Sequence, residues 1–540
     1  MKQRKRIVIL GAGFGGVYTA IHLEKQLRRK HPDFEVVIIN RDNYFTFQPM
    51  LAEVVGGSLD ILDTINPLRR LLRRTTLYIR DIESVDLEKR RVWLSPKYSH
   101  KPTELSFDHL VLALGNVTDF RGISGLHEHA LPFKTLADSI ALRNQVIDVI
   151  EAAACEENPT LKKELLTFVV GGGGFSGTEV VAELNDLVRT LVRRYETIDP
   201  NQVRVILVHS KDRLMERELS PSLSRYAEKL LKKRGVEIKL HCRLASATPK
   251  EAILGTGERI YAKTIISTVP SSPNPIIEAL PIELQRGKVK TDATLQVEDH
   301  DNLWAIGDCA AVPNVLAGGM CPPTAQFAIR QAKVLAANLV ATVRGGAKKE
   351  FRFKALGMMG ALGHHSAVAE MFGTFKFSGL FAWVLWRAVY WLKLPGLDRK
   401  IKTALAWLLD TILPIETVQV KAAPTQGIAQ LHFESGETIF NEGDTGDYLY
   451  IIVKGEVEVF FTREGKEHVI AKLGKGEYFG EMALLNQKAR LATIRCLSPV
   501  DVLALKKQDF GILISNFGEL RKEFHTTEQE RIKELESDAS

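Results

Sequence analysis

Two glycine loops constrain what this chain can fold into. The first, GAGFGG, runs from Gly11 to Gly16. It follows the apolar run Ile7-Val8-Ile9-Leu10 and precedes a helical pattern expected from about Val17 to Arg29. Gly11, Gly13 and Gly16 stand at GxGxxG spacing, with Gly15 between them. In a strand–loop–helix unit the first glycine permits a tight turn, and the second lets the backbone approach a pyrophosphate lying on the helix N-terminus. The third lets helix and strand pack closely. The second loop, GGGGFSG, follows Phe168-Val169-Val170 and puts Gly172, Gly174 and Gly177 at the same spacing, before a helix expected from about Thr178 to Val192. A single match is compatible with a plain glycine turn. The strand-before, helix-after context and the repetition together point to two dinucleotide-binding units.

The segments around the loops agree. Glu35 to Ile39 reads as the second strand of the first unit, ending in Asn40 and Arg41 where an acid would hold a ribose. An Asn can still bond a ribose hydroxyl. Val203 to Val208 is its counterpart and ends in His209-Ser210-Lys211 without a carboxylate, which leaves NADH and NADPH open. Asp108 to Gly115 is a buried strand ending in glycine, and Asn302 to Ala310 contains a strand that ends in Gly307-Asp308. An Asp there can bond the ribityl or pyrophosphate side of a flavin.

At 540 residues the chain has room for three or four domains, and an apolar fraction of 45% allows sizeable cores. The net charge of +7 is mild for this length and no Lys/Arg tract forms a nucleic-acid arm, so a basic surface facing anionic lipid is an equally simple reading. The five cysteines, Cys155, Cys242, Cys309, Cys321 and Cys496, form neither CxxC nor CxxxxC. That speaks against a zinc site or redox dithiol and for a reducing, cytosolic compartment. The apolar run behind MKQRKR is too short for a signal-peptide core. His364-His365 is expected in a strand, where neighbours point to opposite faces and cannot share an ion; no metal is expected.

GAGFGG, the strand ending LALG, GGGGFSGTE, NLWAIGDCA and PPTAQFAIRQ occur in this order. With them the chain, from about residue 5 to 415, resembles the type II NADH dehydrogenases: single-chain, FAD-containing NADH:quinone oxidoreductases that do not pump protons. The resemblance implies an α/β fold of two Rossmann-like domains, with the NADH-binding one (121–280) inserted into the FAD-binding one (1–120 and 281–350). It assigns FAD contacts to Gly11, Gly13, Gly15, Gly16, Asn40, Arg41, Ile82, Gly115, Gly307, Asp308, Ala325 and Gln326. NADH contacts fall on Gly172, Gly174, Gly177 and Glu179. Two residues are expected at the chemistry. Glu179 would stand beside nicotinamide and flavin as a proton relay, although an acid in a first helical turn is also favoured electrostatically. Gln326 would open the quinone-site pattern AQxAxQ, whose second Gln falls here on Arg330, followed by Gln331. The rival readings are a sulfide:quinone reductase-like flavoprotein, which would need reactive cysteines, and a non-catalytic sensing scaffold.

Residues 351–420 carry a Trp- and Leu-rich stretch whose longest uncharged run, Phe377 to Trp386, falls far below the roughly 20 residues a spanning helix needs. Pro395-Gly396 divides it, and Ile401, Leu405, Leu408, Leu409 and Ile412 follow at helical spacing. Trp383, Trp386, Trp391 and Trp407 suit a water–lipid boundary. The segment reads as amphipathic helices lying in the membrane surface, basic side outward, on its cytoplasmic face; a core helix pair or a homodimer interface is the alternative. After a linker at Lys421 to Gly427 the period switches to two, and FGEMALLNQKARLAT, Phe479 to Thr493, resembles the phosphate cassette of cyclic-nucleotide-binding β-rolls over 427–525. The resemblance puts the ribose on Glu481 and the cyclic phosphate on Arg490, nine residues on, with Gly480, Ala492 and Thr493 completing the cassette. Leu491 replaces a hydroxyl residue frequent in cGMP-preferring members, which favours cAMP.

Overall fold

The structure is a computed structural model that describes all residues except 1–4, 28–33, 96–102, 119–122, 269–271, 414–415, 417, 420–427, 445–447, 464–465, 487–489, 507–509 and 511–540. Ile7 to Leu10 and Phe168 to Val170 are apolar without alternation and fully buried, the pattern of parallel strands covered on both faces. They form the middle strands of two five-stranded parallel sheets. The first contains β1 (Lys5–Leu10), β2 (Phe34–Asn40), β3 (Thr76–Ile79), β4 (His109–Leu112) and β10 (Leu303–Ala305), in the order β10-β4-β1-β2-β3. The second contains β5 (Leu131–Pro132), β6 (Thr167–Gly171), β7 (Arg204–Val208), β8 (Val236–Lys239) and β9 (Thr264–Ser267), in the order β5-β9-β6-β7-β8. In both, the glycine loop leaves the middle strand where the strand order reverses, the place at which such sheets open a crevice for ligands.

The loop helices α1 (Phe14–Gln26) and α4 (Phe175–Val192) begin three residues earlier than the hydrophobic spacing indicates, because Gly13 and Gly174 are their N-caps and the third glycine already lies inside the helix. The expected end of α1, at Arg29, lies outside the described residues. Between the units, α2 (Leu51–Gly56) packs on α3 (Leu136–Cys155) and on α4, while α5 (Ala325–Arg344) packs along α1. An antiparallel sheet of β11 (Gly357–Ala361), β12 (Ala367–Met371) and β13 (Phe375–Ser378) leads to α6 (Gly379–Lys393) and α7 (Leu397–Asp410). His364 and His365 occupy the turn between β11 and β12, not a strand, and their rings lie together with centroids 4.0 Å apart. Among the described residues no group of three or more His, Cys, Asp or Glu side chains could hold a metal.

Helices α6 and α7 correct the expected orientation. Trp383, Trp386 and Trp407 are buried in the protein, and so are Arg387 and Arg399, while Lys402 stays exposed. The reason is Arg387. Its guanidinium lies over the rings of Trp383 (3.9 Å) and Trp407 (4.9 Å) and donates to Glu53 Oε1 (3.2 Å) and Asp410 Oδ2 (3.3 Å). Trp407 Nε1 donates to Glu53 Oε2 (2.9 Å), so both oxygens of a carboxylate on α2 are engaged by the two helices. An aromatic chain continues the join, from Trp386 to Tyr390, Phe47 and Phe14 at the first glycine loop, with centroids 4.7–5.9 Å apart. The helices turn outward Leu380, Phe381, Val384, Leu392, Leu397, Ile401, Leu405, Leu408 and Ile412, each more than half exposed. Among the described residues no helix is long and apolar enough to cross a membrane.

The C-terminal part is β-rich: two four-stranded antiparallel sheets around a core of Phe433, Ile452, Val457, Phe479, Ile494 and Val502. The linker Lys421 to Gly427 and the expected end of this domain, 511–525, lie outside the described residues. The domain seats on the second unit. His432 Nε2 meets Ser124 Oγ (3.0 Å) while its Nδ1 meets Asp501 (2.6 Å), and its backbone N–H lies 2.9 Å from His129 Nε2. Lys250 Nζ donates to the Thr438 carbonyl (2.7 Å).

Arg387→Leu removes one partner of a buried ion pair and leaves Glu53 without its counter-charge. The expected loss is about 3–5 kcal/mol of unfolding free energy, read by urea denaturation at neutral pH; an unchanged midpoint would show that α6 and α7 are held by apolar contacts alone.

Candidate functional site

The two glycine loops share one local geometry. Gly11 and Gly172 have positive φ (97° and 112°), and a Cβ on either would collide, with the Ala113 carbonyl and with Thr268 Oγ1 respectively. A Cβ on Gly16 would run into the Gly11 carbonyl oxygen, and one on Gly177 into that of Gly172. Gly13 and Gly174 differ: no heavy atom lies within 4 Å of a Cβ on Gly13, and only Glu218 Oε1, at 3.5 Å, comes near one on Gly174. Glycine is required at the first and third positions by the fold. At the second position the fold alone tolerates a side chain, and the open space there lies in front of the N-termini of α1 and α4. A pyrophosphate fits that cradle in each unit.

The strand ends brace the loops. Ala12 N–H donates to Asn40 Oδ1 (3.0 Å), and in the matching place Gly173 N–H donates to His209 Nδ1 (3.0 Å). Arg41 pairs with Asp81 (2.7 Å) on the surface, and Ile82 lies just beyond β3, half-buried. Gly115 follows β4 with a positive φ of 64° and open space at its Cβ. Gly307-Asp308 follows β10; Gly307 N–H donates to Gln331 Oε1 (2.8 Å), so Gln331 holds this turn instead of facing a ligand. Burial raises the Asp308 carboxyl above its ordinary range, opposed by Lys134 and Lys288. Lys134 carries no motif and was invisible in the sequence.

Glu179 sits in the second turn of α4, one turn further in than expected, so the helix N-terminus is not its reason for being there. Its Oε1 accepts from Ala361 N–H (3.0 Å) at the end of β11. Burial pushes its carboxyl up to about 8, the Ala361 bond offsetting and the charge of Glu53 adding to the shift. Four residues on, Glu183 is buried against Gly56 of α2, its carboxyl held well above the ordinary range by burial and then by the nearby Glu53 and Asp186. Asp186 is also raised by burial, against the pull of Arg234. The i, i+4 spacing of Glu179 and Glu183 on one helix face was readable; their convergence with Glu53 and Arg387 was not.

Ala325 and Gln326 open α5. Gln326 Nε2 donates to the Gly357 carbonyl (3.2 Å) and its Oε1 accepts from Leu356 N–H (3.2 Å), so its amide shapes a wall. That wall belongs to a cavity of about 370 Å³ lined by Tyr18, Gln326, Arg330, Phe353, Leu356 and Lys393 together with apolar neighbours. The cysteines are free, and burial pushes the Cys309 and Cys321 thiols up to about 11, far from reactive thiolates.

In the C-terminal domain Gly480, Glu481 and Arg490 come together. Arg490 is buried, lies 4.1 Å over the Phe440 ring and donates to the Gly480 (2.5 Å) and Tyr448 (2.8 Å) carbonyls. Thr493 Oγ1 accepts from Glu442 N–H (3.0 Å), Ala492 is half-buried and Leu491 is exposed.

A carboxyl that ionises near 8 when folded and near 4.5 when unfolded binds more protons in the folded state between those values. Stability therefore falls as pH rises through that window. Glu179→Gln should flatten the fall; melting curves of both proteins at pH 5, 7 and 8.5 check this, and parallel curves would place the titration elsewhere.

Residues 5–332 match the family described as pyridine nucleotide-disulphide oxidoreductase, and residues 430–517 match the cyclic nucleotide-binding domain. Demethylphylloquinone reductase NdbB of Synechocystis is 30% identical, over 75% of this chain and 96% of its own length. Type II NADH:quinone oxidoreductase NdhA of Mycobacterium tuberculosis is 29% identical, over 75% and 86%. Among solved structures, NDH2 from Plasmodium falciparum in complex with NADH shares the fold with a TM-score of 0.71 at 18% identity, over 77% of this chain and 100% of that one. The chain belongs to the pyridine nucleotide-disulphide oxidoreductase family, among the type II NADH:quinone oxidoreductases, and carries a C-terminal cyclic nucleotide-binding domain.

Proposed function

We propose that this enzyme oxidises NADH and reduces a membrane quinone through FAD, working on a membrane surface and answering to a cyclic nucleotide. The observation that carries the reading is the pair of equivalent glycine cradles, each with open space before a helix N-terminus. Residues 1–120 and 281–350 would bind FAD, with Gly11, Gly13, Gly15, Gly16, Asn40, Arg41, Ile82, Gly115, Asp308 and Ala325 around it. Residues 121–280 would bind NADH, with Gly172, Gly174 and Gly177. When bound, FAD supplies the two-electron chemistry between NADH and quinone. The chain orients the two dinucleotides, excludes water and holds a proton: Glu179, protonated at neutral pH and bonded to Ala361 N–H, is the group to keep and return one at its carboxyl. The Cys309 and Cys321 thiols, buried and pushed up to about 11, favour NADH over sulfide as the donor.

The outer face of α6 and α7 exposes a series of large apolar side chains, the mark of an interaction surface, and would lie in the cytoplasmic lipid surface, where quinone dissolves. A self-paired dimer through the same face is the competing occupant, separated by flotation with vesicles. In the C-terminal domain a cyclic phosphate would replace the Gly480 and Tyr448 carbonyls on Arg490, and Glu481 would take the ribose, with cAMP preferred. Phe440 beneath Arg490 and Thr438 beneath Lys250 lie on one three-residue strand, Thr438–Phe440, which would link the nucleotide to the second unit.

Gly13→Val should fold with unchanged circular dichroism yet purify without flavin, whereas Gly16→Ala should fail to fold; a yellow Gly13→Val protein would refute the cradle. The wild type should be bleached by NADH under anaerobic conditions and recoloured by a soluble quinone. Calorimetry of the full chain with cAMP should show binding that Arg490→Ala weakens about tenfold to a hundredfold, the cost of hydrogen bonds to a charged group.

A further inference from the structure

The C-terminal domain rests on one small antiparallel sheet of the second unit, with strands Leu244–Ala247, Glu251–Leu254 and Arg259–Tyr261. Leu244, Ala247, Ala252 and Ile260 of that sheet share one apolar core with Val169 of β6 and with Ile206 and Val208 of β7. Leu244 reaches the base of the second glycine loop: a Cβ on Gly171, the last residue of β6, would lie 3.2 Å from its Cδ2. The described residues of this core all belong to the second unit.

The other end of the same sheet is the seat. Ala247 N–H donates to the Ser124 carbonyl (3.0 Å), and Ser124 Oγ meets His432 Nε2 (3.0 Å). Lys250, in the turn after the first strand, donates to the Thr438 carbonyl (2.7 Å). Gly125, next to Ser124, has a φ of +66° and no room for a side chain. A Cβ there would strike the Ala247 carbonyl oxygen and lie 3.1 Å from the His432 ring, so the two parts meet without slack. Beyond the seat, the strand Thr438–Phe440 and the residues after it are fastened to the nucleotide cassette. The Phe440 ring lies under the Arg490 guanidinium (4.1 Å). Gly443 N–H donates to the Arg490 carbonyl (2.9 Å), Arg490 N–H to the Asp444 carbonyl (2.8 Å) and Glu442 N–H to Thr493 Oγ1 (3.0 Å). The guanidinium itself is spent on the Gly480 and Tyr448 carbonyls. A cyclic phosphate that takes it over changes the contacts of the strand whose first carbonyl holds Lys250.

We infer that the C-terminal domain regulates the NADH-binding step and not the quinone step: a cyclic nucleotide on Arg490 and NADH at the second glycine loop change each other's affinity through the seat at Ser124 and Lys250. The inference rests on the reading of both ligands proposed above. The nucleotide makes different contacts in the two arrangements of Arg490, which is what a ligand needs in order to shift an equilibrium. The shift passes from Thr438 to Lys250, through the small sheet, to Leu244 against Gly171. Linkage then requires the effect of NADH on the nucleotide to equal that of the nucleotide on NADH.

The test uses the full-length, flavin-loaded protein with cAMP, and with NAD⁺ on the oxidised enzyme as an unreactive stand-in for NADH. By calorimetry, saturating cAMP should change the NAD⁺ Kd at least about fivefold, the lower end of ordinary allosteric coupling. Saturating NAD⁺ should change the cAMP Kd by the same factor and in the same sense. The NADH concentration that half-saturates anaerobic bleaching should shift with it, while reoxidation by a soluble naphthoquinone keeps one rate with and without cAMP. Lys250→Met keeps the apolar stem and drops the hydrogen bond to Thr438; it should still bind cAMP, with the coupling factor reduced to about one. A cAMP effect confined to reoxidation would overturn the inference, as would coupling that Lys250→Met leaves whole. Bound cAMP with an unchanged NAD⁺ Kd refutes the inference alone. No heat with cAMP or cGMP refutes the nucleotide reading of the domain, and the inference with it.

Discussion

The buried guanidinium of Arg387 is where the separate parts of the enzyme meet. It takes its counter-charges from α2 and α7 and its aromatic cover from α6 and α7. Helix α2 in turn packs on α4, which carries Glu179 and Glu183. A charge removed from water is tolerated only when nearly all its donors are answered, so this one contact sets the rotation of α6 and α7. With Arg387 and Arg399 turned inward, the outward faces are largely apolar. The outward apolar surface is thus a consequence of an interior ion pair as much as of hydrophobic patterning.

The same neighbourhood concentrates carboxyl groups. Burial raises both Glu53 and Glu183; at Glu53 the Arg387 charge and the Trp407 bond oppose the shift, and at Glu183 the nearby Glu53 and Asp186 add to it. The row Glu179, Glu183, Asp186 runs along one side of α4, from the second turn inward. Burial raises all three carboxyls, and at Asp186 the pull of Arg234 opposes the shift.

The C-terminal domain is tied to the second unit by polar contacts, not by a shared apolar core. Burial lowers the His129 imidazole to about 4, and its Nε2 meets both the His432 carbonyl (2.5 Å) and the His432 backbone N–H (2.9 Å). Contacts of this kind are directional and few, and a small displacement of the Thr438–Phe440 strand would be felt at Lys250.

Much of this protein was legible in one dimension. Glycine spacing specified both parallel sheets, because a Cβ at Gly16 or Gly177 would meet a backbone oxygen whatever the rest of the chain did. The period-two strands after the linker and the nine-residue spacing of Glu481 and Arg490 were local as well. The start of α1 and α4, the turn position of His364-His365 and the inward face of Arg387 were not. Hydrophobic spacing carries no mark for a glycine N-cap. Arg387 read as an interruption of an apolar run because its partners, Glu53 and Asp410, lie 334 and 23 residues away. Gln331 and Arg330 exchange expected places for the same reason: a helix face is chosen by what packs against it, and only the folded chain brings Gly307 to Gln331 and leaves Arg330 facing a cavity.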